Sequence, residues 1–429
     1  MKTEEMIMIS VDDHLVEPPG MFDGRLEAKH VDRAPKVVRT DSGDDVWVFN
    51  GETIPNIGLN AVAGRPKEEY GVNPTSFQEM RPGCYDHAER VKDMNAGGVL
   101  ACMCFPSFPA FSGRLFASCT DKDLALAVTR AYNDWHIDEW CGSHPGRFIP
   151  MAIPVLWDPA LAAEEIRRVA KKGCHSLTFT ENPAALGYPS FHSDHWDPMF
   201  KALVEEGTIL NIHLGSSGKL AVTAPDAPMD VMITLQPMNI CMAAADLVWS
   251  RVFKEHPDLK VALSEGGTGW IPYFLDRLDR TYDMHHLWTG QELGPGRMPS
   301  DVFREHILTC FIADPVGVAM RDEIGIDNIC WEQDYPHSDS SWPTAPEELH
   351  AVAEKYNVSD ADLNKITHEN AIRWYHFDPF VHRAKEQCTV GALRAEAKGH
   401  DVSIRSMDQG RHADVELISL AELAANATA

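Results

Sequence analysis

The chain has 429 residues, and 38 lysine and arginine side chains against 64 aspartate and glutamate side chains give it a net charge of −26 at pH 7. With 44% hydrophobic and 24% charged residues it can form a large core, which excludes an intrinsically disordered protein. The acidic balance, without a lysine or arginine cluster, argues against nucleic-acid binding because phosphate contacts require a basic surface.

The N-terminal sequence MKTEEMIMIS lacks the apolar core of a secretory signal. No run of about 18 consecutive apolar residues predicts a membrane span. The ten cysteines are scattered and form no CxxC pair, and several lie in apolar runs, which is typical of reduced thiols in a core. We therefore predict a cytoplasmic protein that does not bind membranes.

Short apolar runs alternate with longer amphipathic segments along most of the chain. The predicted strands are 6–11, 99–106, 148–154, 174–180, 209–215, 260–265, 307–313 and 328–334. Continuous apolar runs are typical of parallel strands buried on both faces. A helix is predicted at 158–172, where Asp158 occupies the cap position and Pro159 the first helical position. Eight strands alternating with helices predict an α/β protein with a (β/α)8 TIM-like barrel. A doubly wound open sheet is the alternative, but no glycine-rich phosphate loop follows the first strand.

Two segments do not fit the strand–helix alternation. Residues 15–80 are rich in proline, glycine and aspartate, and a segment of that length inside a compact domain is usually functional. We therefore predict a barrel over residues 1–384 with a lid at 15–80 above its mouth. Residues 385–429 are predicted to be a C-terminal tail, either an oligomerisation arm or poorly ordered.

Potential metal ligands follow the predicted strands at their carboxyl ends, where barrel enzymes carry their chemistry. They are Asp12, His14, His213, Glu265, Asp334 and His337. Asp12 and His14 are two residues apart, so both point to the same side of an extended segment. A buried cluster with three carboxylates would repel itself without cations. The pattern predicts a metal site, with Asp334 and Glu265 as catalytic residues.

Four further residues are candidates for substrate contact or for support of the ligands. Glu181 follows the fourth strand and could bridge two ions or cap a turn. Trp331 and Glu332 precede Asp334 and could pack in the strand or contact substrate. His192 could order a loop or act near the site.

Several motifs between about residues 6 and 380 together resemble a known superfamily. They are DDHLVEP after the first strand, NIHLG at the fifth, SEGGTGWIPYFLDRLD after the sixth, WEQDYPHSD at the eighth and NAIRWY in the last helix. With these motifs the chain resembles the amidohydrolase-related superfamily, in the branch that includes aminocarboxymuconate-semialdehyde decarboxylase.

The resemblance implies a ligand set with two departures. In that superfamily an H-x-H pair after the first strand and an aspartate after the eighth bind one metal, and histidines after the fifth and often the sixth strand bind or approach the metals. Here Asp12 replaces the first histidine of the pair, and Glu265 stands at the sixth strand. This carboxylate-rich set resembles the non-heme di-iron and iron–manganese monooxygenases built on the same barrel. It implies two divalent ions, Fe or Fe/Mn with Zn as the alternative, and no nucleotide or flavin motif is present.

We therefore predict a dinuclear monooxygenase that hydroxylates a small organic substrate with O2 and an external reductase, such as a flavin reductase. The alternative is a Zn- or Mn-dependent decarboxylase or hydrolase. In the hydrolase, the metal would activate a water molecule and Asp334 would be the general base. A barrel that serves only as a structural subunit is a third possibility. The predicted assembly is a homo-oligomer, or a hetero-oligomer with a related barrel subunit.

Overall fold

The computed structural model describes residues 1–55, 57–70 and 74–407. Within them the strands are β1 (Ile9–His14), β2 (Lys36–Arg39), β3 (Asp45–Phe49), β4 (Glu52–Ile54), β5 (Ala101–Phe105), β6 (Phe148–Ile149), β7 (Ser176–Thr180), β8 (Ile209–His213), β9 (Val261–Ser264), β10 (Ile307–Phe311) and β11 (Ile329–Trp331). Each predicted strand thus overlaps an observed one. The parallel strands pair in the orders β1-β5-β6 and β7-β8-β9-β10-β11.

Hydrogen bonds outside the regular ladders join these two sheets. Ala152, just after β6, forms a parallel bridge with Leu177 of β7. At the other edge, the segment after β11 pairs with β1, because Asp334 N–H donates to the Asp12 carbonyl (2.8 Å) and His14 N–H donates to the Tyr335 carbonyl (2.7 Å). Eight parallel strands therefore close on one another, and the predicted TIM-like barrel is confirmed.

Helices connect the strands and cover the barrel. They are α1 (His87–Gly97), α2 (Arg114–Ser118), α3 (Lys122–Trp135), α4 (Pro159–Ala170), α5 (Asp197–Glu206), α6 (Met229–Leu235), α7 (Met238–Trp249), α8 (Val252–Glu255), α9 (Ile271–Thr289), α10 (Pro299–His306), α11 (Pro315–Ala319), α12 (Arg321–Ile324), α13 (Ala345–Lys355), α14 (Asp360–Asn364), α15 (Asn370–Tyr375) and α16 (Val390–Glu396). The predicted start of α4 is observed, since the Asp158 carboxylate accepts the backbone N–H groups of Ala160 and Leu161.

The hydrophobic core has two parts, which correspond to the two faces of the barrel strands. The smaller cluster fills the barrel interior and includes Ile9, Val11, Phe105 and Cys330. The larger one lies between the strands and the surrounding helices and includes Cys102 and Trp331. Because neighbouring side chains of a strand point to opposite faces, Cys330 and Trp331 belong to different clusters.

The predicted lid, residues 15–80, contains secondary structure of its own. Within its described part, β2, β3 and β4 form a small antiparallel sheet. The lid also contacts the segment after β11, because the Pro336 carbonyl accepts the N–H groups of Val62 and Ala63, both at 2.9 Å. The insertion therefore rests against the carboxyl end of the barrel, where the predicted ligands are.

The C-terminal region begins to differ from the predicted tail at residue 388. Cys388, Val390 and Leu393 are fully buried, and Val390 N–H donates to the Met6 carbonyl. Helix α16, which lies within the predicted tail, therefore packs on the barrel. The rest of the predicted oligomerisation arm, 408–429, lies outside the described residues.

One helical stretch, Met229–Trp249, has the length and composition of a membrane span, and 33% of its apolar window is buried. Pro237 divides this stretch into α6 and α7. Core helices of other proteins have the same length and composition, so this feature is weak evidence for a membrane segment.

Candidate metal centre

A bulge in β1 brings Asp12 and His14 to the interior of the barrel mouth. The pairing of β1 with β5 shifts register between Ser10 and Asp13, and such a bulge redirects the side chains that follow it. The His14 Nε2 atom lies 3.5 Å from Asp12 Oδ1, and both residues are fully buried. Sequence spacing predicted that these two side chains share one side, although we placed them after the strand rather than within it.

His213, the last residue of β8, faces both of these groups. Its Nε2 lies 3.2 Å from His14 Nε2 and 3.4 Å from Asp12 Oδ2. Its Nδ1 lies 2.6 Å from the Leu214 carbonyl and must donate a proton there. The Nε2 lone pair of a neutral His213 therefore points at the cluster, which is the arrangement of a metal-ligating imidazole.

Glu265 and Asp334 complete the carboxylates of the site, and both have left-handed backbone conformations. Their φ angles are 60° and 55°, which costs about 1 to 3 kcal/mol each for such residues. Glu265 Oε2 lies 3.4 Å from His213 Nε2, and Asp334 Oδ1 lies 3.3 Å from His14 Nε2. Strain of this kind is common at functional sites, and it points both carboxylates at the imidazoles.

His337 joins the cluster on the side of Asp334. Its Nδ1 lies 2.8 Å from Asp334 Oδ1, and its ring stacks on that of His14 with centroids 3.8 Å apart. The six predicted ligands thus lie together. Five of them form two overlapping groups, and within each group the ligand atoms lie within 4.8 Å of one another. These groups are Asp12–His14–His213 and His14–Asp334–His337, with Glu265 beside the first.

The hydrogen bonding of this cluster fits a divalent cation. Among the described residues, both carboxylate oxygens of Asp12 and both of Asp334 accept no hydrogen bond of normal geometry. Buried carboxylates without donors are costly unless a cation neutralises them. Three carboxylates and three imidazoles form a mixed oxygen and nitrogen donor set that suits Mn, Fe or Zn.

The pKa shifts of the cluster indicate which of its groups are protonated. Burial lowers the pKa of His213 to about 4, and burial together with His337 lowers the pKa of His14. Burial alone would raise the pKa of Asp334, but the His337 and His14 imidazoles hold it below its usual value. In contrast, burial and the neighbouring Asp334 and Asp12 carboxylates raise the pKa of Glu265. Burial and the Asp334 carboxylate likewise raise the pKa of Asp12. Without a cation, the protonated forms of Glu265 and Asp12 are therefore favoured, whereas Asp334 stays ionised.

Aromatic rings form an apolar wall beside the imidazoles. The Phe111 ring lies 4.2 Å from the His213 ring and 5.1 Å from the His14 ring, between centroids. The Phe105 ring lies 4.6 Å from that of His213. This wall limits water at the site and offers a flat surface to a planar ligand.

The other four candidate residues lie in different places relative to the ligand cluster. The Glu332 carboxylate is fully buried and accepts the Glu265 N–H at 3.3 Å, so it supports a predicted ligand. Trp331 lies in the outer core cluster, and we leave it out of the site because its side chain points away from the barrel interior. It was a candidate because of its neighbours in sequence, but strand alternation excludes it.

Glu181 and His192 lie outside the ligand cluster. Glu181 accepts hydrogen bonds from Ser216 N–H (3.1 Å) and Ser217 Oγ (2.6 Å), so it holds the turn after β8 instead of bridging ions. His192 is half exposed and pairs with Asp246. Both line a groove of about 660 Å³ beside the barrel mouth.

A buried arginine supports the site and was not predicted. The Arg90 guanidinium donates to the His14 carbonyl and, at 2.7 Å, to the Gly83 carbonyl. It also lies 3.6 Å from the carboxylate of Asp13. Asp13 points away from the ligands because of the bulge, and Arg90 thereby fixes the end of β1.

Comparison with known proteins agrees with this barrel. Residues 28–377 match the model of the amidohydrolase family. The chain is 24% identical over 211 residues to 2-amino-3-carboxymuconate-6-semialdehyde decarboxylase of Dictyostelium discoideum, which covers 48% of this chain and 55% of that protein. The chain thus spans about half the length of this curated relative.

Two solved decarboxylases have similar folds. The 5-carboxyvanillate decarboxylase of Sphingomonas paucimobilis has a TM-score of 0.61 and 19% identity, over 87% of this chain and 99% of that chain. The dihydroxybenzoic acid decarboxylase of Polaromonas sp. JS666, with bound manganese and 2-nitroresorcinol, has a TM-score of 0.57 and 19% identity, over 88% of this chain and 98% of that chain.

Proposed function

This chain belongs to the amidohydrolase family, and we propose that it is a metal-dependent decarboxylase acting on a small planar carboxylic acid. It is an enzyme of that family with a site suited to divalent metals. The observation that carries the proposal is the buried ligand cluster next to the Phe111 and Phe105 rings at the barrel mouth. The names of the similar proteins, which include decarboxylases of aromatic acids, support this function over the monooxygenase.

We assign the metal ligands to the two facing imidazoles and to the two carboxylates whose oxygens accept no hydrogen bond of normal geometry among the described residues. Asp12, His14, His213 and Asp334 would hold one ion, for which manganese or zinc is suitable. When bound, such an ion would orient the substrate carboxylate and neutralise its charge. The Phe111 ring would lie against the planar part of the substrate and exclude water from it.

Loss of CO2 breaks a carbon–carbon bond and leaves the electron pair on the substrate, so a proton must be added to that carbon. Glu265 is the best placed donor. Its side chain is 17% exposed, against 1% or less for Asp12, His14, His213 and Asp334. Burial and the neighbouring carboxylates raise its pKa, which favours the protonated acid that this step requires. His337, at 2.8 Å from Asp334, would hold the latter carboxylate in place.

The monooxygenase remains a second candidate because of one observation. Five of the six donors form two overlapping groups that share His14, with Glu265 beside the first, and two ions would use all six. In that case Glu265 and His337 would be ligands, and the chain would need an external reductase. The comparisons give this function no support.

The test is a measurement of metal content and of CO2 release on the same protein. We expect about one ion per chain after manganese or zinc supplementation, and CO2 release from at least one hydroxylated or amino-substituted aromatic or dienoic acid, without O2 consumption. Two iron or iron–manganese ions per chain, with substrate-dependent O2 consumption in the presence of a flavin reductase, would replace this proposal with the monooxygenase.

A further inference from the structure

A buried carboxylate lies behind the loop that carries Asp334 and His337. Asp93 of α1 is 2% exposed and accepts hydrogen bonds from three side chains. Arg81 donates from Nη2 to Oδ1 at 2.6 Å and from Nε to Oδ2 at 3.1 Å. The Tyr335 hydroxyl donates to Oδ2 at 2.6 Å, and His400 Nε2 lies 2.6 Å from Oδ1. Asp93 therefore connects residues that are far apart in sequence.

Tyr335 is the point where this network reaches the metal loop, which we define as residues 334–338. It is 2% exposed and stands between Asp334 and Pro336. Its carbonyl accepts from His14 N–H at 2.7 Å, so the backbone is fixed from the barrel side, while the hydroxyl is fixed from the side of Asp93. The left-handed backbone of Asp334 is uncommon for a residue other than glycine, and this support on both sides stabilises it.

His400 brings the C-terminal end of the described chain into the same network. We call residues 398–407 the C-terminal strap. Besides His400, the strap contributes the Asp401 carbonyl, which accepts from Arg81 at 2.8 Å. It also holds the lid, since Arg405 N–H donates to the Gly64 carbonyl at 2.9 Å. The lid in turn contacts Pro336 of the metal loop.

Close packing around Asp93 restricts the position of its carboxylate. A Cβ atom on Gly83 would lie 2.3 Å from Asp93 Oδ2 and 3.0 Å from the Tyr335 hydroxyl. The Trp342 indole donates to the Asp93 carbonyl at 2.9 Å, and its ring packs edge-on against Tyr335, with centroids 5.8 Å apart. The carboxylate is thus held in one place by donors and by close packing.

We propose that Asp93 is a positioning residue for the metal loop, and that His400 of the C-terminal strap and Tyr335 act through it to place Asp334 and His337 for metal binding. This inference rests on the metal centre of the proposed function, but it requires no particular reaction. Hydrogen-bond partners that orient ligands typically change metal affinity by 10- to 100-fold when they are removed.

The experiment is a Mn²⁺ titration of chelator-treated full-length protein, in which free Mn²⁺ is measured by electron paramagnetic resonance. We expect His400→Ala and Tyr335→Phe each to raise the Kd for Mn²⁺ by about 10- to 100-fold. His400→Gln keeps an N–H donor on a side chain of similar reach, and it should restore the affinity to near that of the wild type. Arg405→Ala is the matched control, because its guanidinium pairs with Asp401 on the exposed side of the strap and does not contact Asp93.

Thermal unfolding of the metal-free variants separates positioning from general destabilisation. Wild-type Mn²⁺ affinity in both His400→Ala and Tyr335→Phe would overturn the inference, even if their metal-free melting temperatures fell. Equal losses of affinity in Arg405→Ala, or no recovery in His400→Gln, would also overturn it. A wild-type protein that binds Mn²⁺ but releases no CO2 would refute the proposed decarboxylase and leave the positioning role standing.

Discussion

His14 and His213 face each other through their Nε2 atoms at 3.2 Å. The two imidazoles are fully buried, and their pKa values are lowered by burial. With His14 in the tautomer that presents its Nε2 lone pair to a metal, two neutral nitrogens face each other and repel, and the Asp12 carboxylate beside both adds to the repulsion. A cation between these groups turns this repulsion into attraction, which is why the pair is the centre of the proposed site.

We expect His14→Asn to remove metal binding altogether, because His14 belongs to both ligand groups. The measurement is elemental analysis of protein purified from manganese-supplemented cells. His192→Asn is the control, since His192 pairs with Asp246 away from the cluster and should leave the metal content unchanged. Wild-type metal content in His14→Asn would contradict the assigned site.

Glu265→Gln should distinguish the two candidate functions. If Glu265 is the proton donor of a one-metal decarboxylase, the variant keeps its ion and loses about 10²- to 10⁴-fold in kcat. If Glu265 is a ligand of a second ion, the variant binds one ion fewer than the wild type. Metal content and CO2 release measured on the same sample decide between these outcomes.

The same substitution should stabilise the metal-free protein above about pH 5. The raised pKa of Glu265 in the fold means that its contribution to stability is full below the unfolded pKa and is lost as the pH rises through the folded pKa. A glutamine has no such loss. We expect chelator-treated Glu265→Gln to unfold at a higher urea concentration than the wild type at pH 8, with the difference shrinking towards pH 4.5. A constant difference would show that the Glu265 carboxyl is not responsible.

The sequence predicted the barrel, and it predicted six candidate ligands that the structure brings together, because both follow from local pattern. Buried parallel strands appear in the sequence as continuous apolar runs, and the catalytic residues of barrel enzymes come at the carboxyl ends of those runs. The bulge that turns Asp12 inward and Asp13 outward could not be predicted, since it depends on the register between β1 and β5. Trp331 was included for its position near Asp334, and only the division of the core into two clusters excludes it.

The other features that the sequence did not predict depend on contacts between residues far apart in the chain. Arg90 and Asp93 lie in one helix, and their partners in β1, the metal loop and the C-terminal strap are distant in sequence. A local sequence pattern does not show partners that lie so far along the chain. Helix α16 was not predicted for a similar reason, because it is short and packs against the first residues of the chain.

Phe111→Ala should lower kcat without changing the metal content. Removal of the ring exposes the imidazoles of His14 and His213 to water and takes away the apolar surface against which the substrate would lie. We expect a 10- to 100-fold loss of kcat, which corresponds to about 1.4 to 2.7 kcal/mol of transition-state stabilisation. Phe111→Leu keeps most of the apolar volume and should lose less. Equal kcat values for the wild type and Phe111→Ala would show that this wall is not part of the reaction.

His136 should make the metal-free protein sensitive to mild acid. It is 1% exposed, and burial lowers its pKa to about 4. The unfolded chain takes up a proton at His136 near pH 6.5, whereas the folded chain does so only near pH 4. Its contribution to stability is therefore full above pH 6.5 and is lost as the pH falls towards 4. With 1.36 kcal/mol per pKa unit, the loss of stability is on the order of 3 kcal/mol.

Urea unfolding of the wild type and His136→Gln between pH 4 and 7.5 measures this loss. We expect the free energy of unfolding of the variant to fall less than that of the wild type as the pH is lowered. Identical pH dependence in both proteins would contradict a buried, neutral His136.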